Sequence, residues 1–305
     1  ISTTLLSIIT SPYFLQVNDF ELRHDDRFFA VNGKSSRLNP QDTLTVRINR
    51  FAISDVLTTT PEDKYSLEGD VSSLAYLNDL FGNVIVNCQT SIDNFIVDGD
   101  NLDHMDVSTA WRPESKNLDV DLGIVTAGRK CVSADGLLDL GKGIMDLDFN
   151  IDSMSVGFLN FYLDAAIENM RGTTSGKLRL HGPLDDVKLD ARLCVHKTTL
   201  SVKQTLCDYT LAQNDSIILS PTRMDFNNLR FTDKYGNKGV YSGYITHNMF
   251  SGLRMYLDFN VTDLLVLETN EKFSPSYYGT VYGTGHFGIT GITALCNLDI
   301  QAKTA

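Results

Sequence analysis

The feature that most constrains this chain is an alternation of apolar and polar residues that occurs twice. Residues 145–151 read Met-Asp-Leu-Asp-Phe-Asn-Ile, and residues 255–261 read Met-Tyr-Leu-Asp-Phe-Asn-Val. In both runs the odd-numbered side chains are apolar and the even-numbered ones are polar or amphipathic. Because successive side chains of a β-strand point to opposite faces, the pattern predicts strands with one apolar and one polar face.

A second motif follows each run at the same spacing. Its first copy contains Gly176, Leu178, Leu180, Gly182, Leu189 and Asp190, which align with Gly285, Phe287, Ile289, Gly291, Leu298 and Asp299. The copies therefore span about residues 145–193 and 255–302. We expect residues 1–305 to form one elongated body, an all-β fold built from a repeated sheet.

Two local signals refine this expectation. The run from Asp233 to Gly239 is rich in turn residues and separates two strand-like runs, which predicts a hairpin. The segment from Phe158 to Met170 breaks the alternation, has apolar residues at helical spacing and contains neither Gly nor Pro, so it predicts one short helix that ends near Gly172.

Composition excludes several classes of protein. The 305 residues are 42% hydrophobic and carry a formal net charge of −12, without a block of Lys and Arg residues that would follow a phosphate backbone. We therefore expect no nucleic-acid partner. No apolar run approaches the ~20 residues of a membrane-spanning helix. The chain starts at Ile1 without an initiator methionine or signal segment, so we interpret it as a fragment whose membrane anchor lies elsewhere.

The residue types that carry catalysis are not arranged for it. The six histidines lack metal-ligand spacing, and the acidic clusters lack the spacing of a calcium loop. The five cysteines are far apart, which predicts buried free thiols and no disulfide framework. We expect no catalytic residues, no metal and no cofactor, and thus a protein that is not an enzyme.

A sheet with one apolar face must cover that face. One solution is a closed sandwich of two sheets, and the other is an open gutter whose lining contacts another molecule. In a gutter the lining would be the apolar row of the repeated strands, which comprises Leu147, Phe149, Ile151, Leu178, Leu180, Val187, Leu189, Leu257, Phe259, Val261, Phe287, Ile289, Leu298 and Ile300.

Three stretches resemble a known family. Residues 176–193 combine Gly-Lys-Leu-Arg-Leu-His-Gly-Pro-Leu with Val-Lys-Leu-Asp-Ala-Arg-Leu, a glycine-and-strand signature that is similar to the TamB family of the translocation and assembly module. Residues 277–291, 233–237 and 264–269 resemble its Bacteroidetes-type members. The specific motifs cover about residues 130–302, and the related AsmA-like proteins share their rhythm.

The resemblance implies a long, curled, U-shaped sheet, also called a β-taco, with a hydrophobic groove. It implies a periplasmic protein that is anchored in the inner membrane and meets an outer-membrane barrel partner. It further implies a role in phospholipid passage between the two membranes, or in assembly of autotransporters and other outer-membrane proteins. The cargo would be phospholipid or an amphipathic polypeptide.

Two other functions stay open on the residues alone. A chaperone-like module could bind outer-membrane polypeptides by β-augmentation, in which a peptide adds a strand to a sheet edge. A closed β-sandwich could serve as an adhesion or carbohydrate-binding domain, although a single tryptophan offers little aromatic surface for sugars.

Overall fold

The chain is all-β, as the alternation predicts. The computed structural model describes residues 2–56, 66–157, 160, 167–248, 251–292 and 295–304. Within these ranges 21 antiparallel strands form one sheet, and the short helix α1 spans Ile53–Val56. The fold class expected from the sequence is therefore confirmed.

The first eleven strands are β1 (Ser2–Thr4), β2 (Ser7–Ser11), β3 (Phe14–His24), β4 (Arg27–Ser36), β5 (Thr43–Ala52), β6 (Leu67–Asn78), β7 (Ile85–Val97), β8 (Asp100–Asn101), β9 (His104–Arg112), β10 (Asn117–Thr126) and β11 (Arg129–Asp139). The remaining ten are β12 (Ile144–Ser155), β13 (Ile167–Pro183), β14 (Lys188–Val202), β15 (Cys207–Leu211), β16 (Ser216–Ser220), β17 (Arg223–Asp233), β18 (Lys238–Asn248), β19 (Ser251–Thr269), β20 (Gly279–Ile292) and β21 (Leu295–Thr304).

The strands follow one another as a meander that is interrupted at regular intervals by a split strand. At three places two short strands in succession share one long neighbour: β1 and β2 pair with β3, β8 and β9 with β7, and β15 and β16 with both β14 and β17. The split strands divide the sheet into three repeats of seven strands, namely β1–β7, β8–β14 and β15–β21.

A β-bulge in the fifth strand of each repeat supports this division. Arg50 in β5, Ser153 in β12 and Asp263 in β19 all have positive φ angles. Their backbone N–H groups donate to hydroxyl oxygens on the next strand, Ser72 Oγ at 3.2 Å, Ser175 Oγ at 2.9 Å and Thr284 Oγ1 at 2.8 Å. The two copies seen in the sequence are thus the second and third of three.

The bulge keeps apolar side chains on one face of a long strand. Val261 pairs with Gly285 and Leu264 pairs with Gly283, so two residues of β19 lie opposite one residue of β20. The extra residue shifts the phase of the alternation. Val261 and Leu264 are three positions apart, yet both are buried in the same hydrophobic cluster.

The repeated glycines mark a close approach of neighbouring strands. Gly176 and Gly285 have φ angles of 153° and 150°. A Cβ on Gly176 would lie 2.1 Å from the carbonyl oxygen of Arg192, and one on Gly285 would lie 2.3 Å from that of Gln301. Any larger residue would force the strands apart, which explains why glycine recurs at this spacing.

The chain divides into two compact units. Unit 1 comprises residues 1–149 and 180–187, and unit 2 comprises residues 150–179 and 188–305. The buried apolar residues of unit 1 include Val71, Ile92, Phe95, Leu102, Ile124 and Val132. Those of unit 2 include Val195, Leu211, Phe231, Val261 and Leu264, which form one cluster.

Of the two local predictions, the hairpin is confirmed and the helix is wrong at its C-terminal end. Strands β17 and β18 pair across the turn that follows Asp233. Residues 167–170 begin β13 and are not helical, and the Asn160 side chain bonds both the N–H and the carbonyl of Met170. The other residues of the predicted helix, 158–159 and 161–166, lie outside the described part of the chain.

Candidate functional site

The fourteen predicted lining residues lie on five strands and one turn. Leu147, Phe149 and Ile151 are in β12, Leu178 and Leu180 in β13, Leu189 in β14, Leu257, Phe259 and Val261 in β19, Phe287 and Ile289 in β20, and Leu298 and Ile300 in β21, while Val187 lies in the turn before β14. Residues 147, 149, 180 and 187 belong to unit 1, so the set is not gathered within one unit.

In unit 2 the strand register aligns seven of these residues into rows across the sheet. Leu257 pairs with Ile289, which pairs with Leu298. Phe259 pairs with Phe287, which pairs with Ile300, and Val261 continues the apolar face two residues further along β19. Directly paired residues of antiparallel strands share a face, so these side chains form one continuous apolar surface. We call this surface the apolar face of unit 2.

Exposure changes strongly across this surface. Val261 is 6% exposed, whereas Leu298 and Ile300 on the outermost strand are 63% and 59% exposed. Leu257, Phe259, Phe287 and Ile289 between them are half-buried. The surface therefore runs from a closed core at β19 to an open edge at β21.

Aromatic rings form the inner part of this surface. Tyr241 stacks on Phe259 with ring centroids 5.5 Å apart, and Phe231 meets Phe259 edge to face at 6.3 Å. Tyr209 in turn meets Phe231 edge to face at 5.4 Å. Rings in these geometries attract each other beyond the burial of their area, which makes this part of the face rigid.

Unit 2 folds back on itself at one end of the strands, and we call this end the closure. The Tyr209 hydroxyl donates to the Leu265 carbonyl at 2.8 Å, and the Glu268 N–H donates to the Thr205 carbonyl at 2.9 Å. Tyr209 is in β15 and Leu265 in β19, with β17 and β18 between them. In a flat sheet they would lie about 14 Å apart, since neighbouring strands are ~4.8 Å apart. The hydrogen bonds therefore require strong curvature in this part of the sheet.

A buried carboxylate organises the same end. Asp233, 4% exposed, accepts hydrogen bonds from the backbone N–H groups of Tyr235, Asn237 and Leu265 at 2.9 Å each. Burial alone would raise the pKa of Asp233, but these donors and the Asn237 side chain hold it below its ordinary value. The carboxylate thereby ties the β17–β18 hairpin to β19. Lys234 and Glu268 add an ion pair beside it.

The opposite face of the same strands is polar. Asp258, Asn260 and His286 lie one residue away from the apolar row, and His286 Nε2 lies 3.2 Å from Asp258 Oδ1. Asp258 and Asn260 are exposed. The two faces of β19 and β20 thus have the opposite chemistry that the alternation predicts.

The corresponding face of unit 1 is interrupted by polar groups. Val46, Ala75 and Cys88 are paired in one row across β5, β6 and β7. In the neighbouring row, Ser73 Oγ lies 2.9 Å from Thr90 Oγ1 and 3.1 Å from Cys88 Sγ. A hydroxyl patch therefore lies within the apolar face of unit 1, and the apolar face of unit 2 is the better candidate site for an apolar ligand.

The side chains that would hold a metal or form a disulfide are dispersed. Within the described ranges no three His, Cys, Asp or Glu side chains are grouped so that they could bind a metal ion. All five cysteines are free; Cys131 and Cys207 are buried, Cys88 and Cys194 half-buried, and Cys296 exposed, so the expectation of buried thiols is wrong for Cys296. Among the described helical residues, no helix has the length and apolar character to cross a membrane.

Sequence reasoning missed the bulges, the closure and the first repeat. The bulges have a signal, because two apolar residues three positions apart enclose a polar residue with positive φ, as in Val17-Asn18-Asp19-Phe20 and Phe226-Asn227-Asn228-Leu229. The first repeat was hidden because its spacing from the second is 103 residues between Leu44 and Leu147, against 110 between Leu147 and Leu257. The closure has no comparable local signal.

Comparison with known proteins does not identify a relative. No protein-family model matches the chain, and neither a curated protein nor a solved structure matches it. The resemblance to the TamB family therefore rests on the sequence motifs alone.

Proposed function

We propose that this chain is a segment of a TamB-like bridge between two membranes, in which the apolar face of unit 2 contacts the acyl chains of phospholipid. The observation that carries the proposal is the set of paired apolar rows, Leu257 with Ile289 and Leu298, and Phe259 with Phe287 and Ile300. These rows are continuous, half-buried and open toward β21, which suits a long apolar ligand that must enter and leave.

The total accessible surface supports an incompletely covered sheet. The chain exposes 17682 Å². A compact monomer of 33.9 kDa exposes roughly 13,000 Å², and two separate compact globules of half that mass together expose roughly 15,000 Å². Part of the excess is apolar, since twenty large hydrophobic side chains are exposed among the described residues. Apolar surface of this extent is typical of a binding surface.

The energetics favour acyl chains on this surface. Each CH₂ group removed from water contributes about 0.8 kcal/mol, so several methylenes in contact with the rows suffice for binding. The polar face, with Asp258 and Asn260 exposed, offers no such gain. We therefore assign the ligand to one face of β19–β21 only.

The remaining parts of the proposal rest on the resemblance. They are the periplasmic location, an inner-membrane anchor outside this chain, an outer-membrane barrel partner and a role in assembly of autotransporters or other outer-membrane proteins. The closure at Tyr209 and Leu265 gives the apolar face of unit 2 one blocked end, so cargo would enter at the open side near β21.

The test is photo-crosslinking in cells with matched positions on one strand. A photo-reactive residue at Leu257 or at Phe259 should capture phospholipid, and the same residue at Asp258 between them should not, because it points to the other face. Lipid adducts of equal yield at all three positions, or only crosslinks within the protein, would contradict the proposal. Stoichiometric phospholipid in native mass spectra of the purified chain would support it independently.

A chaperone-like role is the second candidate, and the exposed edge of the sheet favours it. Strand β21 carries Leu295, Leu298 and Ile300 at 59–75% exposure and offers a free edge for an incoming strand. High-mass adducts to outer-membrane polypeptides from the crosslinker at Phe259 would select this function over lipid conduction.

A further inference from the structure

The three repeats show what kind of strand fits the last strand of a repeat. β7 pairs with the split strand β8–β9, and β14 pairs with the split strand β15–β16. Both junctions are antiparallel, and both lie within one compact unit. The split strand is thus the partner that this sheet uses to continue from one repeat to the next.

Two edges of the chain lack such a partner. Among the described residues β21, the last strand of the third repeat, pairs only with β20, and the split strand β1–β2 of the first repeat pairs only with β3. Both edges are apolar and exposed, with Ile300 at 59% and Ile8 at 52%. β21 also has ten residues without a bulge or proline, so it lacks the features that protect edge strands from pairing.

The sequences of these edges match the sequences that pair at the second junction. Residues 7–12 read Ser-Ile-Ile-Thr-Ser-Pro, and residues 216–221, which contain β16, read Ser-Ile-Ile-Leu-Ser-Pro. β14 and β21 are equivalent through Gly176 and Gly285, each of which lies against the strand that follows it. β2 therefore has the same chemistry as the strand that β14 binds, and β21 is the counterpart of β14.

We infer that β21 of one molecule pairs with β2 of a second copy of this chain. The β14–β16 junction sets the register: Leu193 pairs with Ile217 and Cys194 with Ser216. Transferred to the equivalent residues, Ala302 pairs with Ile8 of the second copy, and Lys303 with Ser7. Ala302 and Ile8 then share the apolar face.

This contact has a defined symmetry. The C-terminal edge of one copy meets the N-terminal edge of another, so the interface is heterologous and can repeat. The sheet would lengthen by three repeats per molecule. The inference rests on strand pairing and repeat equivalence and does not depend on whether the apolar face binds lipid.

Directed disulfide formation between two differently labelled chains tests the pairing. One chain carries Ala302→Cys and the other Ile8→Cys, both with Cys296→Ser to remove the exposed native thiol. Mixed under mild oxidation, they should give a mixed dimer in several-fold higher yield than a control pair of Lys303→Cys with Ile8→Cys, whose side chains would lie on opposite faces. Far-UV circular dichroism of each variant confirms that it is folded.

Three results would overturn the inference. Disulfides between two Ala302→Cys chains in preference to the mixed dimer would indicate a two-fold contact. Equal yield from the Lys303→Cys control would exclude the register. Sedimentation velocity of the unmodified chain should show a concentration-dependent increase in mass, and a monomer at every concentration would exclude the contact.

Discussion

Single leucine residues of the apolar face of unit 2 differ in what they contribute to stability. Leu265 is fully buried, at 0% exposure, beside the closure, whereas Leu298 is 63% exposed on β21. Leu265→Ala leaves a cavity and should lower the free energy of unfolding by about 2–5 kcal/mol. Leu298→Ala should cost less than about 1 kcal/mol, because little area changes its environment.

Urea unfolding of both leucine variants measures this difference. The substitution is the same at both positions, so side-chain size cancels in the comparison. Equal losses would mean that the sheet edge is covered in solution. A larger loss at Leu298 would contradict the exposure gradient across the face.

Asp233 couples the closure to pH. Its pKa is held below the ordinary carboxyl value in the folded state, so its stabilisation is complete above the unfolded-state pKa of about 3.9 and is lost as pH falls through the folded-state value. Asp233→Asn removes this contribution. We expect the variant to be less stable than wild type at pH 7, and the gap between the two to narrow below about pH 4. Urea unfolding across this range measures it, and a constant gap would refute the role of the carboxylate.

At the level of elements, the close approach of β20 and β21 depends on the glycine that recurs in the repeats. Gly285→Ala places a methyl group 2.3 Å from the Gln301 carbonyl oxygen, so the strands must separate. We expect a loss of about 1–3 kcal/mol, the usual range for overpacking, with added strain from the positive φ. Thermal unfolding gives the measurement.

Gly288→Ala on the same strand is the matched control. Its Cβ would lie 3.6 Å from the nearest atoms, which is an ordinary contact. We expect this variant to be neutral, or more stable by up to about 1 kcal/mol through the lower entropy of its unfolded chain. If both glycine variants lose equal stability, backbone approach is not the reason that Gly285 is glycine.

For the whole molecule, the threefold repeat predicts which deletions preserve the fold. Removing residues 98–202 joins β7 directly to the loop before β15, so the last strand of the first repeat meets the split strand of the third. Each repeat contacts mainly its neighbours, and this new junction copies an existing one. We expect a folded all-β protein by circular dichroism that unfolds cooperatively, with a urea m-value reduced roughly in proportion to its length.

Deleting residues 98–143 should instead prevent folding. It removes fewer residues but joins β7 to β12, which run in the same direction in the meander and cannot be linked by a short turn. An unfolded product from the longer deletion, together with a folded product from the shorter one, would show that the assigned repeat is wrong.

The sequence by itself determined the type of secondary structure, the facing of residues along β12 and β19, and the hairpin after Asp233. Each of these follows from neighbours within a few positions, since alternation and turn residues act locally. The tertiary structure decided the rest. Whether Leu265 is buried and Leu298 exposed depends on which strands curl over which, and the bond from Tyr209 to Leu265 joins residues 56 positions apart. The first repeat and the start of β13 within the predicted helix were also decided by strand pairing, because hydrogen bonds to a neighbouring strand override local spacing.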